Sequence, residues 1–510
     1  MFFVFIFLIC VSLWLFRGYV NKKYDYFKNR NTPFLRPCFL LGNTAGLNFS
    51  KYVPTEFEEM MYNKFPDKKL YGYFDYLKPV YQIRDPELLR QIAIKDFDHF
   101  ADHIPFLEPG NNDLLGNSLF MLNGQKWRDM RATLSGSFTG SKMRLMFELV
   151  SECAVDTITY LLEKAEKVDR VDLEMKDLFS RYTIDVIASC AFGCKINSLK
   201  TRNNEFYNSG MRLLDSSSYR IFLFTAFPKL MKFLGINFIA DDVSSYFTSI
   251  IRDTINERRA RNISRPDVIN ALMQVMDGGT ASYDVYGDKI RSKRVWTETE
   301  LMAQSFLFFF AGFKNSSNIL SILTYELAVN PTIQEKLHRE VKSMNDKLNQ
   351  ATVDYDSLQK MKYIDQVVSE VLRKWPPSPV TDRLCLEDYR IVDGDEVIRI
   401  EKGAALNVPI YGIHRDPKYY PNPAQFDPDR FSEANKRNIV PGTYLPFGIG
   451  QRSCIASRFA LMEIKAVVYH LLLKFKFEPN EHTPIPLKFK RHPHSLKLEN
   501  GIHLSLSRRY

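Results

Sequence analysis

Toward the C-terminal end of the chain, Pro446-Phe447-Gly448-Ile449-Gly450-Gln451-Arg452-Ser453-Cys454-Ile455-Ala456 runs straight into an amphipathic stretch whose apolar face continues through Phe459, Met462 and Ala466. The chemistry on offer is that of a thiolate. A cysteine at a helix N-terminus is biased toward its anion by the unpaired N–H groups and the helix dipole. Glycines let the loop take positive φ and approach a flat ligand closely. The loop's N–H groups can hydrogen-bond the sulfur and tune its electron donation, and a thiolate bound to iron pushes electron density onto the metal. A buried structural cysteine after a glycine turn is a poor alternative. Phe-Gly-x-Gly-x-Arg-x-Cys fixes the residue at five of eight positions, which chance supplies in roughly one chain of this size in ten thousand.

Charged residues elsewhere form a second set. Glu370-Val371-Leu372-Arg373 puts an acid and a base at i, i+3 on one helix face, though such a pair alone is common on surfaces. Arg430 stands in Pro428-Asp429-Arg430-Phe431 and His414 in Gly412-Ile413-His414-Arg415-Asp416-Pro417. Trp127 and Arg131 fall at i, i+4, and Arg383 comes soon after Trp375-Pro376-Pro377. Guanidinium groups suit carboxylate ligands because their fork binds both oxygens. His414 taken singly reads as a satisfied structural histidine.

The elements that must hold these residues are mostly helical. Strand-like runs are expected near Leu70–Phe74 and Val80–Ile83. Asp85-Pro86-Glu87 then opens a helix with Asp85 as N-cap. From about Trp127 to Asn349 the apolar spacing is helical, with loops expected near Asp215–Tyr219 and Asp277–Val295. Thr297-x-x-Glu300 is a capping box before a long apolar helix through Phe306, Phe310 and Leu320. Tyr389 to Leu406 alternates like short strands, and a last helix is expected from about Cys454 to Phe475. The fold class is one large, mostly α domain with a minor β portion.

Composition bounds the function. The 510 residues are 45% apolar and 25% charged, which excludes collagen, disorder, a coiled coil and a polytopic membrane protein. Lys+Arg 69 against Asp+Glu 59 gives +10, and with no run of five or six like charges this is no nucleic-acid signature. Cys10, Cys38, Cys153, Cys190, Cys194, Cys385 and Cys454 are odd in number and never at CxxC spacing, so neither a disulfide framework nor a zinc site is suggested. Met1 to Phe16 carries no charge and is succeeded by Arg17, Lys22, Lys23, Lys28 and Arg30. Without a basic n-region or a small-x-small cleavage site it reads as a single-span anchor over 1–20, with the body on the cytosolic side by the positive-inside rule. A basic, proline-containing linker (21–43) then leads to the body (44–510). Ile221 to Ile239 is unusually apolar; it reads as core packing, with a surface dipping into the bilayer as the alternative.

The cysteine loop resembles the haem-binding signature of the cytochrome P-450 superfamily, and Glu370-x-x-Arg373 and Pro428-Asp429-Arg430-Phe431 match its Glu-x-x-Arg helix and its meander in the family's order. The resemblance covers the chain from anchor to C-terminus and is nearest to insect microsomal members. It implies a haem b mono-oxygenase in the endoplasmic reticulum membrane that oxidises lipophilic small molecules, hormones or xenobiotics. Electrons would come from NADPH–cytochrome P-450 reductase, with cytochrome b5 as an optional second donor and no nucleic acid involved. It further implies Cys454 as the iron ligand within Phe447, Gly448, Gly450 and Arg452. Trp127, Arg131, Arg383, His414 and Arg452 would meet the haem propionates, and Glu370, Arg373 and Arg430 would form a buried ion network. Arg128 and Lys465 are candidate docking residues on the cysteine side. The pocket walls would be His103–Met121, Ser209–Phe227, Phe306–Phe313, Pro376–Thr381 and Leu498–His503.

Ala311-Gly312-Phe313-Lys314-Asn315-Ser316 departs from the family pattern Ala-Gly-x-Glu/Asp-Thr-Thr/Ser. Lys314 stands where the proton-relaying acid belongs and Asn315 where the alcohol belongs; an amide does not readily give and regain a proton. Gly312 remains, leaving room for dioxygen near the iron. Three outcomes stay open: hydroxylation with water, Ser316 or the substrate supplying protons; dioxygen-independent isomerisation or dehydration of a peroxide; or haem binding with weak turnover. A membrane-tethered binding protein with a relict fold is the reading from another class. Gln451 and Ala456, for the usual Pro and Gly, are milder departures.

Overall fold

The computed structural model describes residues 1–105, 114–214, 220, 223–224, 227–276, 282–283, 289–290, 296–394, 396–491 and 498–509. Its first element, α1 (Phe2–Tyr24), ends on Lys22 and Lys23 and leaves Phe2, Phe3, Phe5 and Trp14 exposed, as a bilayer-facing helix would. It continues past Val20 and enters a junction that is packed onto the body instead of hanging free as a linker. The ring of buried Phe27 lies 5.1 Å from those of both Phe74 and Tyr81. It also fills the space at Gly72, where a Cβ would come within 2.6 Å of it. The Tyr24 hydroxyl donates to the Cys38 carbonyl at 3.0 Å, and Arg30 pairs with Glu401.

The expected strands form β1 (Leu70–Asp75) and β2 (Lys78–Ile83), an antiparallel pair. Asp85 caps the next helix by accepting from the Leu88 N–H at 2.7 Å. β3 (Arg170–Glu174) belongs to a second sheet, while β4 (Thr381–Leu384) and β5 (Ala405–Val408) complete the first in the order β1-β2-β5-β4, with β2 and β5 parallel. β6 (Phe475–Pro479), β7 (His503–Arg508) and β3 form a three-stranded sheet, antiparallel throughout, and two separate hairpins pair Ser282–Tyr283 with Lys289–Ile290 and Tyr389–Asp393 with Glu396–Ile400.

The core is helical. α2 (Gly124–Ser135) carries Trp127 and Arg131, and α3 (Gly140–Ala165), α4 (Met175–Ile187), α5 (Glu298–Val329), α6 (Lys362–Lys374) and α7 (Ser457–Lys474) build the main cluster. α5 starts at the expected capping box, where the Glu300 N–H donates to Thr297 Oγ1 at 3.2 Å and Thr297 N–H to Glu300 Oε2 at 3.0 Å. Long and apolar enough to span a membrane, α5 is instead largely buried among α4, α6 and α7. The expected loop at Asp215–Tyr219 and most of that at Asp277–Val295 lie outside the described residues. Within Ile221–Ile239, Phe224 and Phe238 are buried against each other at 5.3 Å, whereas Phe227, Leu230, Phe233 and Leu234 are exposed; core and surface share that stretch.

Candidate active site

The cysteine loop is wound tightly before α7. Cys454 N–H donates to the Phe447 carbonyl at 2.8 Å, Gly448 N–H to Leu445 at 3.0 Å, and Ser453 N–H to Gly450 at 3.0 Å. Gly450, at φ +72°, is required twice over, since a Cβ there would fall 2.1 Å from the Ala93 carbonyl oxygen. Cys454 is exposed, yet burial pushes its thiol pKa up, opposed by the Ala456 N–H and the Arg131 charge. The two observations agree if Cys454 lines an internal space that bulk water does not fill. On α5, Ala311 and Asn315 are likewise exposed one turn apart in the middle of an otherwise buried helix.

Three guanidinium groups converge on the loop. Arg452 Nε donates to the Ala101 carbonyl (2.6 Å), Nη1 to Leu122 (3.0 Å), and Nη2 to Asp102 and Asn123 (both 3.1 Å). Its plane stacks 3.8 Å from the Trp127 ring centroid. Arg131 Nη1 donates to the Ser453 carbonyl at 2.8 Å and Arg383 Nη2 to that of Ile449 at 3.1 Å. Burial lowers Arg383 to about 10 and Arg452 to about 9, Asp102 opposing the latter. The Nε atoms of Arg131 and Arg383 are buried with no acceptor. Desolvated cations with unused donors beside a thiol in an internal space are the donor set for a flat, anionic, metal-bearing ligand. A haem, with two propionates and an iron for the sulfur, fits it.

His414 takes no part in that cluster, a correction to the expectation from the family. It is fully buried, its Nδ1 donates to the Arg373 carbonyl at 3.1 Å and its Nε2 accepts from the Leu445 N–H at 2.8 Å. Both nitrogens are used, and burial with the Arg373 charge lowers its pKa to about 3. A neutral ring bracketing α6 to the start of the cysteine loop is a structural pin. Glu370, Arg373 and Arg430 lie together. Arg373 Nε and Nη2 each reach a Glu370 oxygen at 2.7 Å, with both side chains fully buried, and Arg430 Nε lies 3.5 Å from Glu370.

On α5 the unusual residues separate. Asn315 Nδ2 donates to the Ala311 carbonyl at 3.0 Å. Lys314 is partly exposed, and its carbonyl accepts from Lys176 Nζ at 3.5 Å. Ser316 turns away into the core, where its hydroxyl acts on buried Glu463; burial raises that carboxyl to about 8, and neither oxygen has an aligned hydrogen bond. Gly312 faces Ile187 on α4, whose Cδ1 would lie 2.8 Å from an added Cβ. Its smallness therefore serves helix packing, and the expected dioxygen gap is not where its missing side chain would be. Lys465 is also corrected: it is buried and bound to Asp365 (2.9 Å) and Gln359 (2.8 Å), so it offers no docking charge. Arg128 remains partly exposed beside Asp98, and Arg458 is exposed at the start of α7.

Sequence reasoning missed Asp102 and Asn123, the side-chain acceptors of Arg452. They lie 350 and 329 positions from it, and no local signal marks a partner at that distance. Of the expected pocket walls, 106–113 and much of 215–226 fall outside the described residues; His103 is paired with Asp382 at 3.2 Å.

The sequence model of the cytochrome P-450 family matches residues 33–506. The chain is 40% identical to cytochrome P-450 9e2 of Blattella germanica over 95% of its length and 94% of that relative. It is 37% identical to cytochrome P-450 9b2 of Drosophila melanogaster (93% and 94%) and 35% identical to cytochrome P-450 6k1 of Blattella germanica (96% and 94%).

Proposed function

The chain belongs to the cytochrome P-450 family of haem-thiolate mono-oxygenases, and we propose that it oxidises lipophilic small molecules, hormones or xenobiotics, at the endoplasmic reticulum membrane, its body facing the cytosol. The observation that carries this reading is the exposed Cys454 in a loop whose carbonyls at Ser453 and Ile449 are bound by Arg131 and Arg383, with Arg452 two residues away. Haem held there through Cys454 would supply the activation of dioxygen for insertion into an unactivated bond. This chain's residues hold and orient. Arg131 and Arg383, with buried Nε donors left unpaired, would hold the propionates, while Trp127 stacks on Arg452. Glu370, Arg373 and Arg430 pin α6 to the meander.

Proton handling differs from the family's usual pair. Asn315 spends one amide hydrogen on the Ala311 carbonyl and has no exchangeable hydroxyl. Ser316 faces Glu463 in the core, so water or a substrate hydroxyl is left to deliver protons on the Asn315 face. That placement favours a second reading, dioxygen-independent rearrangement of a peroxide. Electrons would come from NADPH–cytochrome P-450 reductase, docking near Arg128 and Arg458, with cytochrome b5 as an optional donor. α1, with its exposed aromatic surface, would anchor the body. The test is oxygen accounting on haem-loaded, reductase-supplied protein over a panel of lipophiles. NADPH use with product and little hydrogen peroxide supports the mono-oxygenase; iron that reduces normally but yields product only from added peroxide supports the second reading.

A further inference from the structure

The segment joining the helices Asp241–Arg261 and Val268–Met276 takes no part in the site described above, yet it carries Arg259-Ala260-Arg261-Asn262-Ile263-Ser264-Arg265-Pro266. Arginines in the last turn of a helix complement its dipole, which accounts for Arg259 and Arg261 as cations. It does not account for their spacing from the hydroxyl that follows. Ser264 has one arginine five residues before it, one three before it and one directly after it, and Arg-x-Arg-x-x-Ser/Thr occurs nowhere else in the chain. Charge patterns of this kind are what protein kinases with acidic peptide grooves read in their substrates.

The fold presents that hydroxyl. Asn262, at φ +52°, ends the first helix, and the Ile263 N–H turns back onto the Arg258 carbonyl at 3.0 Å. From Ile263 to Arg265 the chain is neither helix nor strand, and Pro266 biases Arg265 toward an extended backbone. Both ends of this strap are fixed, because buried Arg258 bonds buried Asp267 through Nη1 at 2.7 Å and Nη2 at 2.5 Å. Its middle is open to solvent: Ile263 and Ser264 are exposed, and the serine oxygen accepts a long bond, 3.4 Å, from Asn270 Nδ2. The charge around it is positive. Arg261 pairs with Glu257 one turn back at 2.9 Å, both groups being largely exposed, and such a surface pair holds weakly. Arg265 spends Nη1 on the Gly193 carbonyl at 3.1 Å and lies 3.7 Å from Asp267, whose charge Arg258 already matches.

We propose that Ser264 is a phosphorylation site: a protein kinase whose groove carries carboxylates for the arginines three and five residues upstream transfers a phosphoryl group to its Oγ, and Arg261 and Arg265 then hold the phosphate. In the transfer a bond forms between Oγ and the γ-phosphorus of ATP as the bond from that phosphorus to the β,γ-bridging oxygen breaks. ADP leaves, and the hydroxyl proton passes to the base of the kinase. A phosphate with nearly two negative charges outcompetes the single carboxylate of Glu257 for a guanidinium. The charge lands among cations on a strap outside the core, so the modified chain stays folded. The proposal needs ATP on the side of the body, and so rests on the cytosolic orientation proposed above.

The experiment uses the haem-loaded full chain, both purified and in sealed microsomes whose cytosolic face is outward, with magnesium ATP and protein kinase B as the arginine-directed kinase. Phosphopeptide mass spectrometry reads the site, the reduced carbon monoxide band reports the fold, and phosphorus NMR titrates the phosphate. Expected are label at Ser264 in both preparations, none in Ser264→Ala, and an intact band throughout. Labelling of Arg261→Gln should slow by roughly tenfold or more, the scale of one charge-assisted bond. The second pKa of the phosphoserine should fall roughly half a unit below its ordinary value of about 6, and Arg265→Gln should restore part of that shift. Label that appears only after the chain is unfolded, equal labelling of Arg261→Gln and the parent, or a phosphate that titrates like free phosphoserine overturns the proposal and leaves the orientation standing. Label on the purified chain that reaches microsomes only after detergent opens them overturns both.

Discussion

Asn315 donates its side-chain N–H to the Ala311 carbonyl one turn earlier, at 3.0 Å, both residues being exposed on an otherwise buried helix. A threonine there could make the same back-bond through its hydroxyl and still pass a proton, which the amide does not. The double variant Lys314→Glu, Asn315→Thr is accordingly expected to raise the product formed per NADPH consumed and to lower peroxide release. No gain, or a loss, would show the native pair to be matched to its own chemistry.

The cysteine loop makes two separable predictions. Cys454→Ser should abolish the thiolate-type band of the reduced carbon monoxide complex; a band that persists would remove Cys454 as the ligand. Gly450→Ala forces a Cβ to 2.1 Å from the Ala93 oxygen at φ +72°. It should cost at least about 2 kcal/mol in stability and deplete haem content, measured by denaturant unfolding and pyridine haemochrome.

His414 predicts a pH dependence. Its pKa, about 3 when folded, is depressed from an unfolded value near 6.5, so the unfolded chain binds the extra proton first as pH falls. The ring's contribution is complete above about 6.5 and drains away as pH drops toward 3, with a slope approaching about 1.4 kcal/mol per pH unit. His414→Gln should flatten that acid limb in denaturant titrations while haem per folded molecule stays unchanged. Selective haem loss instead would restore the propionate role.

The membrane junction separates two truncations. Removing Met1 to Tyr19 keeps buried Val20 and the aromatic cluster and should not alter thermal unfolding, whereas removal through Phe27 empties the site between Phe74, Tyr81 and Gly72. The longer truncation is expected to cost about 3–5 kcal/mol. With the shorter one, residual sedimentation with vesicles would assign a second contact to Phe227, Leu230 and Phe233; full release would deny it.

What the sequence determined by itself was local chemistry and local order. The Gly-x-Gly-x-Arg-x-Cys spacing, the Asp85 cap, the Thr297–Glu300 box and the i, i+3 pair of Glu370 and Arg373 depend on residues a few positions apart, where backbone geometry alone decides who meets whom. Only the tertiary structure decided which way the remaining side chains faced. Lys465 found Asp365, His414 found two backbone groups of α6 and the 445 turn, Gly312 met Ile187, and Arg452 drew its acceptors from the other end of the chain. A buried polar group must be paired wherever the fold supplies a partner. That partner is set by how helices cross and loops close, and a linear spacing carries no record of it.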